Sequence, residues 1–312
     1  MVGLPKVSVI IPTHNRARVI RRSVESALRQ THQDFEILIV DDGSTDETLD
    51  VVKPLLRDQQ VRYVRHEEQK GQNAALNTGI RNSNGDYVAF LDSDDMWVPQ
   101  KLELQLRALI TAPAKSVALT AMWRVAENAP AEKYLKKYNG YVFPKMLAGE
   151  GPSYCCMLVP RECLKKIGFL DESTLRDTDW DTCIALSRHY EFVTLEEPCT
   201  IVFTDEPDSM TSDILGRAFA YQHIVEKNQS DMLRFVGKRG LAWHHTRIAF
   251  LFARAGEFNR YRAHMLQAFR LDAKDPQTFL LAFSTLFGMR AFQLVRGVGP
   301  SVKNGLRKLT II

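Results

Sequence analysis

Cysteine is scarce in this chain, and the spacing of the cysteines indicates no shared site. The five cysteines among 312 residues include no pair separated by two residues and no set typical of a zinc site or a disulfide framework. This pattern favours free thiols in a reducing compartment. We therefore expect the cysteines to be small buried side chains, and we expect a cytoplasmic location that includes the inner face of the membrane.

Long hydrophobic runs near the N-terminus and a strong excess of one charge are also missing. The apolar run "VSVII" (7–11) is stopped by Pro12, which makes it too short for a signal peptide or a membrane span. The formal net charge is +4, and the basic residues are scattered through most of the chain. A nucleic-acid partner is therefore not expected.

The composition that is present, 45% hydrophobic and 25% charged, is typical of a globular protein. Apolar, β-branched segments predict strands, and segments with helical spacing predict the helices between them. In chain order, strands are predicted in segments 7–16, 35–45, 61–66 and 87–92, and helices in segments 17–30, 46–58 and 71–86. Pro54 is expected to kink or shorten the second helix. This alternation predicts an α/β fold with a parallel sheet, in which ligands gather at the carboxyl ends of the strands.

The pattern changes in the later part of the chain. A helix is expected at 98–110 and strand-like segments at 117–125 and within 152–172, whereas the periodicity from residue 213 is helical. We therefore predict one domain at 1–212, with halves at about 1–100 and 101–212, and a helical region at 213–312.

Two acidic segments follow predicted strands, "VDDGSTDET" (40–48) and "LDSDD" (91–95). Carboxylate and hydroxyl oxygens are the ligands that Mg²⁺ and Mn²⁺ prefer, and both ions also coordinate substrate phosphates. The first segment has an equally good local explanation, because Asp, Gly, Ser and Thr favour turns and helix caps. The second has three carboxylates where a cap needs one, which favours a metal.

In their order and spacing, "VSVIIPTHNR", "VDDGSTDET", "GQNAALNTGI" and "FLDSDDMW" resemble the nucleotide-sugar half of the family 2 glycosyltransferases of GT-A fold. The resemblance covers roughly residues 5 to 205. It implies a Rossmann-like, mostly parallel sheet flanked by helices, followed here by a helical extension. It also implies transfer of a sugar from a nucleotide diphosphate donor, with inversion at the anomeric carbon and with Mn²⁺ or Mg²⁺ as cofactor.

The same resemblance implies which residues bind the donor and the metal. Asp42 would accept a hydrogen bond from the nucleobase, and Asp92 would lie near the ribose. Asp94 with Asp92 would bind the metal that bridges the diphosphate. Asp95 is expected to support the metal site. The implied nucleotide-binding residues are Pro12, Thr13, Asn15, Asp41, Asp42, Asp92 and Ser93.

An inverting transfer also needs a base that takes the proton of the attacking hydroxyl. The segment "LRDTDWDTCIAL" (175–186) resembles the family's Glu-Asp motif, which implies Asp179 as that base. Asp177 and Asp181 are competing candidates, and Asp179 has the alternative role of a helix cap.

The chain departs from the family's pattern at two positions. Thr178 stands where relatives commonly carry Glu, and Leu76 stands where many carry Arg. The second departure removes one cation from the diphosphate site, and we expect Lys70 or an arginine elsewhere to replace it.

Several aromatic and histidine residues have two interpretations each. Trp97, Trp180 and Tyr154 are placed to support the site by stacking on a sugar, although large aromatics more often fill a core. The adjacent His244 and His245 would point about 100° apart on a helix and could not easily share a metal ion. We expect them to have a surface or packing role.

The C-terminal segment 279–312 combines long apolar stretches with basic residues and contains no acidic residue. This composition predicts either a helix that lies on anionic lipid or a surface that packs against protein. Its basic residues are Arg290, Arg296, Lys303, Arg307 and Lys308.

Taken together, these features predict an inverting hexosyl- or N-acetylhexosaminyl-transferase that uses a UDP-sugar to extend a cell-surface glycan or glycolipid. A nucleotidyltransferase is one alternative, but "PTHNRARVI" (12–20) lacks the glycine-rich phosphate loop of that class. A catalytically degenerate nucleotide-sugar-binding module is another. Leu76 and Thr178 favour it, whereas the presence of all the expected carboxylates opposes it.

Overall fold

The computed structural model describes residues 4–149, 151–174, 176–205 and 213–274. Contacts within these ranges form two units. The first contains the described residues up to Val142 and those from Gly151 to 205, and the second joins residues 143–149 to the helices after 213.

The first unit begins with four strands that alternate with three helices. These elements are β1 (Val7–Thr13), α1 (Ile20–Leu28), β2 (Phe35–Asp41), α2 (Thr48–Val52), β3 (Val61–Arg65), α3 (Gln72–Asn82) and β4 (Tyr87–Phe90). β1 pairs in parallel with β2 and β4, and β2 pairs in parallel with β3. Every residue of β1 and β2 is buried, as expected for parallel strands covered on both faces. The predicted α/β arrangement is confirmed.

The second half of the sheet is mixed in direction. Its elements are β5 (Met96–Trp97), α4 (Lys101–Thr111), β6 (Val117–Ala126), β7 (Ala129–Tyr134), β8 (Met157–Pro160), α6 (Arg161–Lys166), α7 (Thr178–Ser187) and β9 (Phe192–Phe203). The strand order is β3-β2-β1-β4-β8-β6-β9-β5, and β7 pairs with β6. β8 runs antiparallel to both of its neighbours, β4 and β6. The carboxyl ends of β1, β2 and β4 lie at one edge of the sheet because these strands are parallel and adjacent.

Two helices of the first unit differ from the segments predicted for them. α2 ends at Val52 and the chain continues as a 3-10 turn, Lys53–Arg57, which confirms the expected effect of Pro54. α1 begins at Ile20 instead of residue 17. The amides of residues 16 and 17 bond to the side chains of Thr48 and Asp46, which follow β2.

The second unit is helical within its described residues. It contains α5 (Phe143–Leu147), α8 (Ile214–Lys227), α9 (Gln229–Phe235), α10 (Gly237–Arg254) and α11 (Phe258–Leu271). His244 is fully buried on α10, where Nε2 lies 2.7 Å from the carbonyl of Leu147 and Nδ1 lies 2.9 Å from the Tyr221 hydroxyl. Because the carbonyl can only accept, Nε2 carries the proton and Nδ1 accepts from Tyr221. Burial lowers the pKa of His244 to about 4, and the predicted packing role is confirmed for this residue.

The cysteines are free and buried, in agreement with the sequence prediction. No helix in the described ranges combines the length and the apolar character that a membrane crossing requires. The basic segment 279–312 lies outside the described residues.

Candidate active site

Asn15 connects the loop after β1 to the loop after β2. Its side-chain Oδ1 accepts from the amides of Thr45 at 2.8 Å and Asp46 at 3.3 Å, and its own amide donates to the Ser44 hydroxyl at 2.9 Å. Asn15 adopts a left-handed conformation with φ +53°, which asparagine tolerates better than most residues. We call Asn15 with Ser44, Thr45 and Asp46 the Asn15 clamp.

Two further bonds align the same loops. The Thr48 hydroxyl accepts from the amide of Arg16 at 2.9 Å, and the Asp46 carboxylate accepts from the amide of Ala17 at 3.0 Å. Three side chains of "GSTDET" (43–48) therefore accept hydrogen bonds from the backbone amides of residues 15–17. The local explanation of this segment holds for these residues, and their side chains position the end of β1.

The two carboxylates that precede this segment are also held by the chain itself. Asp41 is fully buried and accepts from the Ser44 amide at 2.7 Å and from the Tyr63 hydroxyl. Asp42 accepts from the amides of Lys70 and Gly71, at 2.9 and 2.7 Å, and contacts His66 Nδ1 at 2.7 Å.

These bonds limit the number of hydrogen bonds that Asp41 and Asp42 can accept from a nucleobase. A carboxylate has about four acceptor positions, so Asp42 retains capacity for one further bond. The bonds that Asp42 accepts from Lys70 and Gly71 fix the backbone directly before α3.

The end of β1 presents a buried hydroxyl to this region. Thr13 lies next to Asp41 in the sheet register, directly after the buried Pro12. Thr13 is 3% exposed, and its Oγ1 has no hydrogen-bond partner among the described residues. Buried hydroxyls are normally paired, so this one fits a contact to a bound molecule.

The acidic turn, residues 92–95, follows β4 and is held from behind by α1. The Ser23 hydroxyl lies 2.8 and 2.6 Å from the carbonyls of Ser93 and Asp95. Arg22 Nη2 donates to the Asp94 carbonyl at 2.6 Å. The backbone of the turn is therefore fixed by the first helix, and its side chains are free to serve another purpose.

The carboxylates of the acidic turn lie close together in a site of low polarity. Burial, and then the charge of Asp94, raise the pKa of Asp92, while Arg16 opposes the shift. Burial, and then the charges of Asp92 and Asp94, raise the pKa of Asp95 well above its ordinary value. Such a cluster is costly to ionise unless a cation neutralises it.

The donor atoms of the turn fit a divalent ion. One oxygen each of Asp92 and Asp95 and the Cys155 sulfur lie within 4.8 Å of one another. Asp94 Oδ2, predicted with Asp92 as a ligand, lies 4.0 Å from Arg16 Nε. Asp95, predicted only to support the metal site, is therefore grouped with Asp92, whereas Asp94 is not part of this set. The two carboxylates suit Mg²⁺ or Mn²⁺, and the sulfur is the one soft atom of the set.

Asp179 lies at the start of α7, and its charge interacts with that of Asp92. Burial, then Asp177 and more weakly Asp92, raise the pKa of Asp179 to about 7, against the bond from the Trp180 amide and the charge of Lys136. The side chain is nevertheless partly exposed. Partial exposure leaves this carboxyl accessible to a bound molecule. Because the charge of Asp92 acts on Asp179, the expected base lies within electrostatic range of the acidic turn.

The competing acids have different surroundings. Asp181 is 4% exposed, and its charge contributes to the raised pKa of Cys183. Asp177 precedes α7 with φ +51° and makes no capping bond with its side chain. Asp179 accepts at 2.8 Å from the Trp180 amide in the first turn, so a contact to the helix start and exposure to the cleft coexist in this residue.

Two asparagines of α3 hold the chain that leads to Asp179. Asn73 Nδ2 donates to the carbonyl of Asp171 at 2.7 Å. Asn77 donates to the carbonyl of Leu170 at 2.9 Å and accepts from the Leu170 amide at 3.0 Å. No motif marks these residues in the sequence, although two amide side chains four positions apart on an apolar helix face are a detectable anomaly.

The aromatic residues near the site are core residues. Trp97 is 3% exposed, its Nε1 donates to the Cys155 carbonyl at 3.2 Å, and the Lys101 ammonium lies 4.1 Å from its ring centre. Trp180 is 1% exposed, and Tyr154 bonds to Thr182 and to the carbonyl of Thr178. The interpretation of these rings as sugar platforms is wrong, because their faces are covered by protein.

The comparisons with known proteins agree with this geometry. The model of Glycosyl transferase family 2 matches residues 8–168, more than half of the chain. A protein of Rickettsia bellii (strain RML369-C) named "Uncharacterized glycosyltransferase" is 40% identical over 147 residues, which cover 46% of this chain and 21% of that protein. The match thus spans about a fifth of that relative's length. The Bacillus subtilis (strain 168) protein named "Putative teichuronic acid biosynthesis glycosyltransferase TuaG" is 31% identical over 174 residues, 55% of this chain and 69% of that protein.

Two solved structures share the fold. S. aureus TarS 1-349 in complex with UDP-GlcNAc has a TM-score of 0.70 at 18% identity and covers 91% of both chains. The mannosyltransferase PcManGT from Pyrobaculum calidifontis, in complex with GDP-Man and Mn²⁺, has a TM-score of 0.61 at 20% identity and covers 92% of this chain and 81% of that chain. The predicted GT-A fold with a helical C-terminal region is confirmed.

The Asn15 clamp can be tested with two substitutions. Asn15→Ala removes the acceptor and places an alanine at φ +53°, whereas Asn15→Gly removes the acceptor alone. We expect the free energy of unfolding to fall by about 1 kcal/mol in the glycine variant and by about 2 kcal/mol in the alanine variant. Urea unfolding measures both values. Equal stability of the two variants would contradict the backbone argument, and wild-type stability in both would contradict the clamp.

Proposed function

The chain belongs to glycosyl transferase family 2, and we propose that it transfers a sugar from a UDP-sugar, with inversion, to a hydroxyl of a cell-surface glycan or glycolipid. The observation that carries this proposal is the acidic turn, where oxygens of Asp92 and Asp95 lie within 4.8 Å of one another, together with Asp179, whose pKa is raised to about 7 by burial, Asp177 and Asp92. A base with a pKa near neutrality is suited to accept a proton at physiological pH.

In the proposed reaction, Asp179 accepts the proton of the acceptor hydroxyl as that oxygen attacks the anomeric carbon. The bond from this carbon to the diphosphate oxygen breaks, and the nucleoside diphosphate leaves with the bonding electrons. Thr13 and Asn15 border the nucleoside, and Asp92, Asp94 and Asp95 would hold the divalent cation. When bound, that cation supplies positive charge to the departing diphosphate.

The choice of UDP and of a glycan acceptor rests on the relatives. TarS binds UDP-GlcNAc, and TuaG carries a name that refers to teichuronic acid biosynthesis. The GDP-Man complex of PcManGT makes a GDP-sugar the second candidate donor and Mn²⁺ the first candidate cofactor. A degenerate binding module is disfavoured because the acidic turn and Asp179 share one site.

We also propose that the C-terminal region meets the inner face of a membrane. Basic residues outnumber acidic ones from 213 to the end of the chain. On the described helices, Leu215 and Phe219 are 38% and 42% exposed, one turn apart on α8. Exposed apolar side chains on a basic helical unit suit an anionic lipid surface.

The donor proposal is tested first by calorimetric titration with UDP, GDP, UDP-GlcNAc and GDP-mannose, with and without Mn²⁺. We expect metal-dependent binding of UDP and its sugar, and a loss of about tenfold or more in Asp94→Ala, because a charged metal ligand is removed. Arg18→Gln, a change of charge at an exposed neighbouring position, is the control. Tighter binding of GDP than of UDP would make a GDP-sugar the donor. If no nucleotide bound, the proposal of a transferase would be refuted.

The base is tested by the pH dependence of transfer. Because ionised Asp179 is the active form and burial raises its pKa to about 7, kcat/KM should fall as pH drops below about 7. Asp179→Asn should reduce transfer by about 10²-fold or more while nucleotide binding persists. Asp177→Asn, where asparagine also tolerates φ +51°, should keep transfer but move its acid limit to lower pH, because the charge of Asp177 raises the pKa of Asp179.

Stability supplies a second readout for the same variant. A pKa raised from 3.8 to about 7 means that the wild type loses stability as pH rises through about 7. Asp179→Asn should therefore raise the thermal midpoint more at about pH 8 than at about pH 4. If Asp177→Asn abolished transfer and Asp179→Asn did not, the base would be Asp177.

The membrane proposal is tested by sedimentation with vesicles. The full chain should bind vesicles that contain about 30% phosphatidylserine, and binding should weaken with salt because the attraction is electrostatic. Replacing the five basic residues of 279–312 with glutamine should lower the bound fraction. An unchanged bound fraction, or equal binding to neutral vesicles, would refute the proposal.

A further inference from the structure

The acidic turn poses an electrostatic problem for the proposed donor. Asp92, Asp94 and Asp95 lie where a negatively charged diphosphate has to bind, and Asp179 adds a fourth carboxyl to the same cleft. One divalent ion cannot by itself balance this many carboxylates and a diphosphate. A cationic side chain is needed close to the turn.

α3 does not supply that cation. Leu76 is 1% exposed and belongs to the buried residues of α3. Lys70, which precedes α3, is exposed, and its amide donates to Asp42 Oδ1 at 2.9 Å. Helix α3 therefore approaches the site with amides and apolar groups.

Two arginines from the β1–α1 region approach the turn, and their surroundings differ. The Arg22 guanidinium donates to the Asp94 carbonyl and lies 4.0 Å from the centre of the Phe203 ring. These contacts fix the backbone of the turn. Arg16 Nε instead lies 4.0 Å from the Asp94 carboxylate, and its charge opposes the rise in the pKa of Asp92.

We propose that Arg16 binds the donor diphosphate and that, without a donor, it competes with the metal for Asp94. The inference rests on the proposed function. The Asn15 clamp fixes the residue before Arg16, and the amide of Arg16 is bound to Thr48. The backbone is thereby held, and the side chain, 19% exposed and with Nη1 3.5 Å from the Asn15 carbonyl, would exchange the carboxylate for a phosphate. A guanidinium suits both groups because its N–H donors match carboxylate and phosphate oxygens.

This arrangement predicts opposite effects on two binding equilibria. Removing the Arg16 charge frees Asp94 for the metal, so Mn²⁺ alone should bind more tightly. The same change removes a donor to the diphosphate, so the complex of UDP and Mn²⁺ should bind more weakly. A residue that only shapes the loop would not change the two affinities in opposite directions.

The experiment measures both affinities on the full chain, Mn²⁺ alone by electron paramagnetic resonance and UDP with saturating Mn²⁺ by calorimetry. In Arg16→Gln we expect Mn²⁺ to bind about threefold or more tightly and UDP to bind about ten- to hundredfold more weakly. Arg16→Lys should lie between the wild type and Arg16→Gln, because lysine keeps the charge but loses the planar fork. Arg18→Gln, exposed two positions away, should leave both affinities unchanged.

Uridine, which lacks phosphates, separates charge from shape. We expect its affinity to be the same in wild type and Arg16→Gln. Unchanged UDP affinity in Arg16→Gln, or an equal loss for UDP and uridine, would overturn the assignment of Arg16 while leaving the transferase intact. If the wild type bound neither UDP nor GDP, the proposed function would fall and this inference with it.

Discussion

The carboxamide of Asn15 is the contact on which the geometry of the cleft depends. It joins the loop after β1 to the loop after β2, and it does so from a left-handed residue that turns the chain sharply at the strand end. Parallel strands place their carboxyl ends together, but nothing in the sheet itself orients the loops that follow. The side-chain bonds of residues 44–48 provide that orientation for residues 15–17. Arg16 owes its position to these bonds.

A second constraint is the amount of negative charge at the end of β4. α1 holds the backbone of the acidic turn through Ser23 and Arg22, so its carboxylates cannot relax away from each other. The raised pKa values of Asp92, Asp95 and Asp179 record the cost of this arrangement. Proteins retain such local costs where function requires them, and the fully buried strands of the first unit supply the compensating stability.

Much of the first half could be predicted because its signals are local. The strands β1 to β4 are marked by short apolar runs, and Pro54 acts within its own helix. The direction of β8 was not predictable in this way, since "MLVP" (157–160) has the same apolar pattern whichever way it runs beside β4. The later start of α1 depends on bonds from residues about thirty positions away.

The site was predictable to a similar extent. Motif resemblance predicted the acidic turn and Asp179 as site residues, whereas the Arg16 contact with Asp94 spans 78 positions and the contact of Asn73 with Asp171 spans 98. For Trp97 and Trp180 two interpretations stayed open, because a sequence does not show which neighbours cover a ring; the structure has both rings in the core. Long-range packing decides such cases.

Helix α3 contacts both halves of the cleft. Gln72 Nε2 lies 3.3 Å from Asp92 Oδ1 in the donor half, and Asn73 and Asn77 bond to the segment that precedes the candidate base. One helix therefore contacts both the acidic turn and the segment that leads to the candidate catalytic base, and it helps to fix the distance between them. β7, by contrast, is largely exposed and pairs with β6. A change in β7 would therefore alter the surface of the first unit without acting on the bonds that α3 makes.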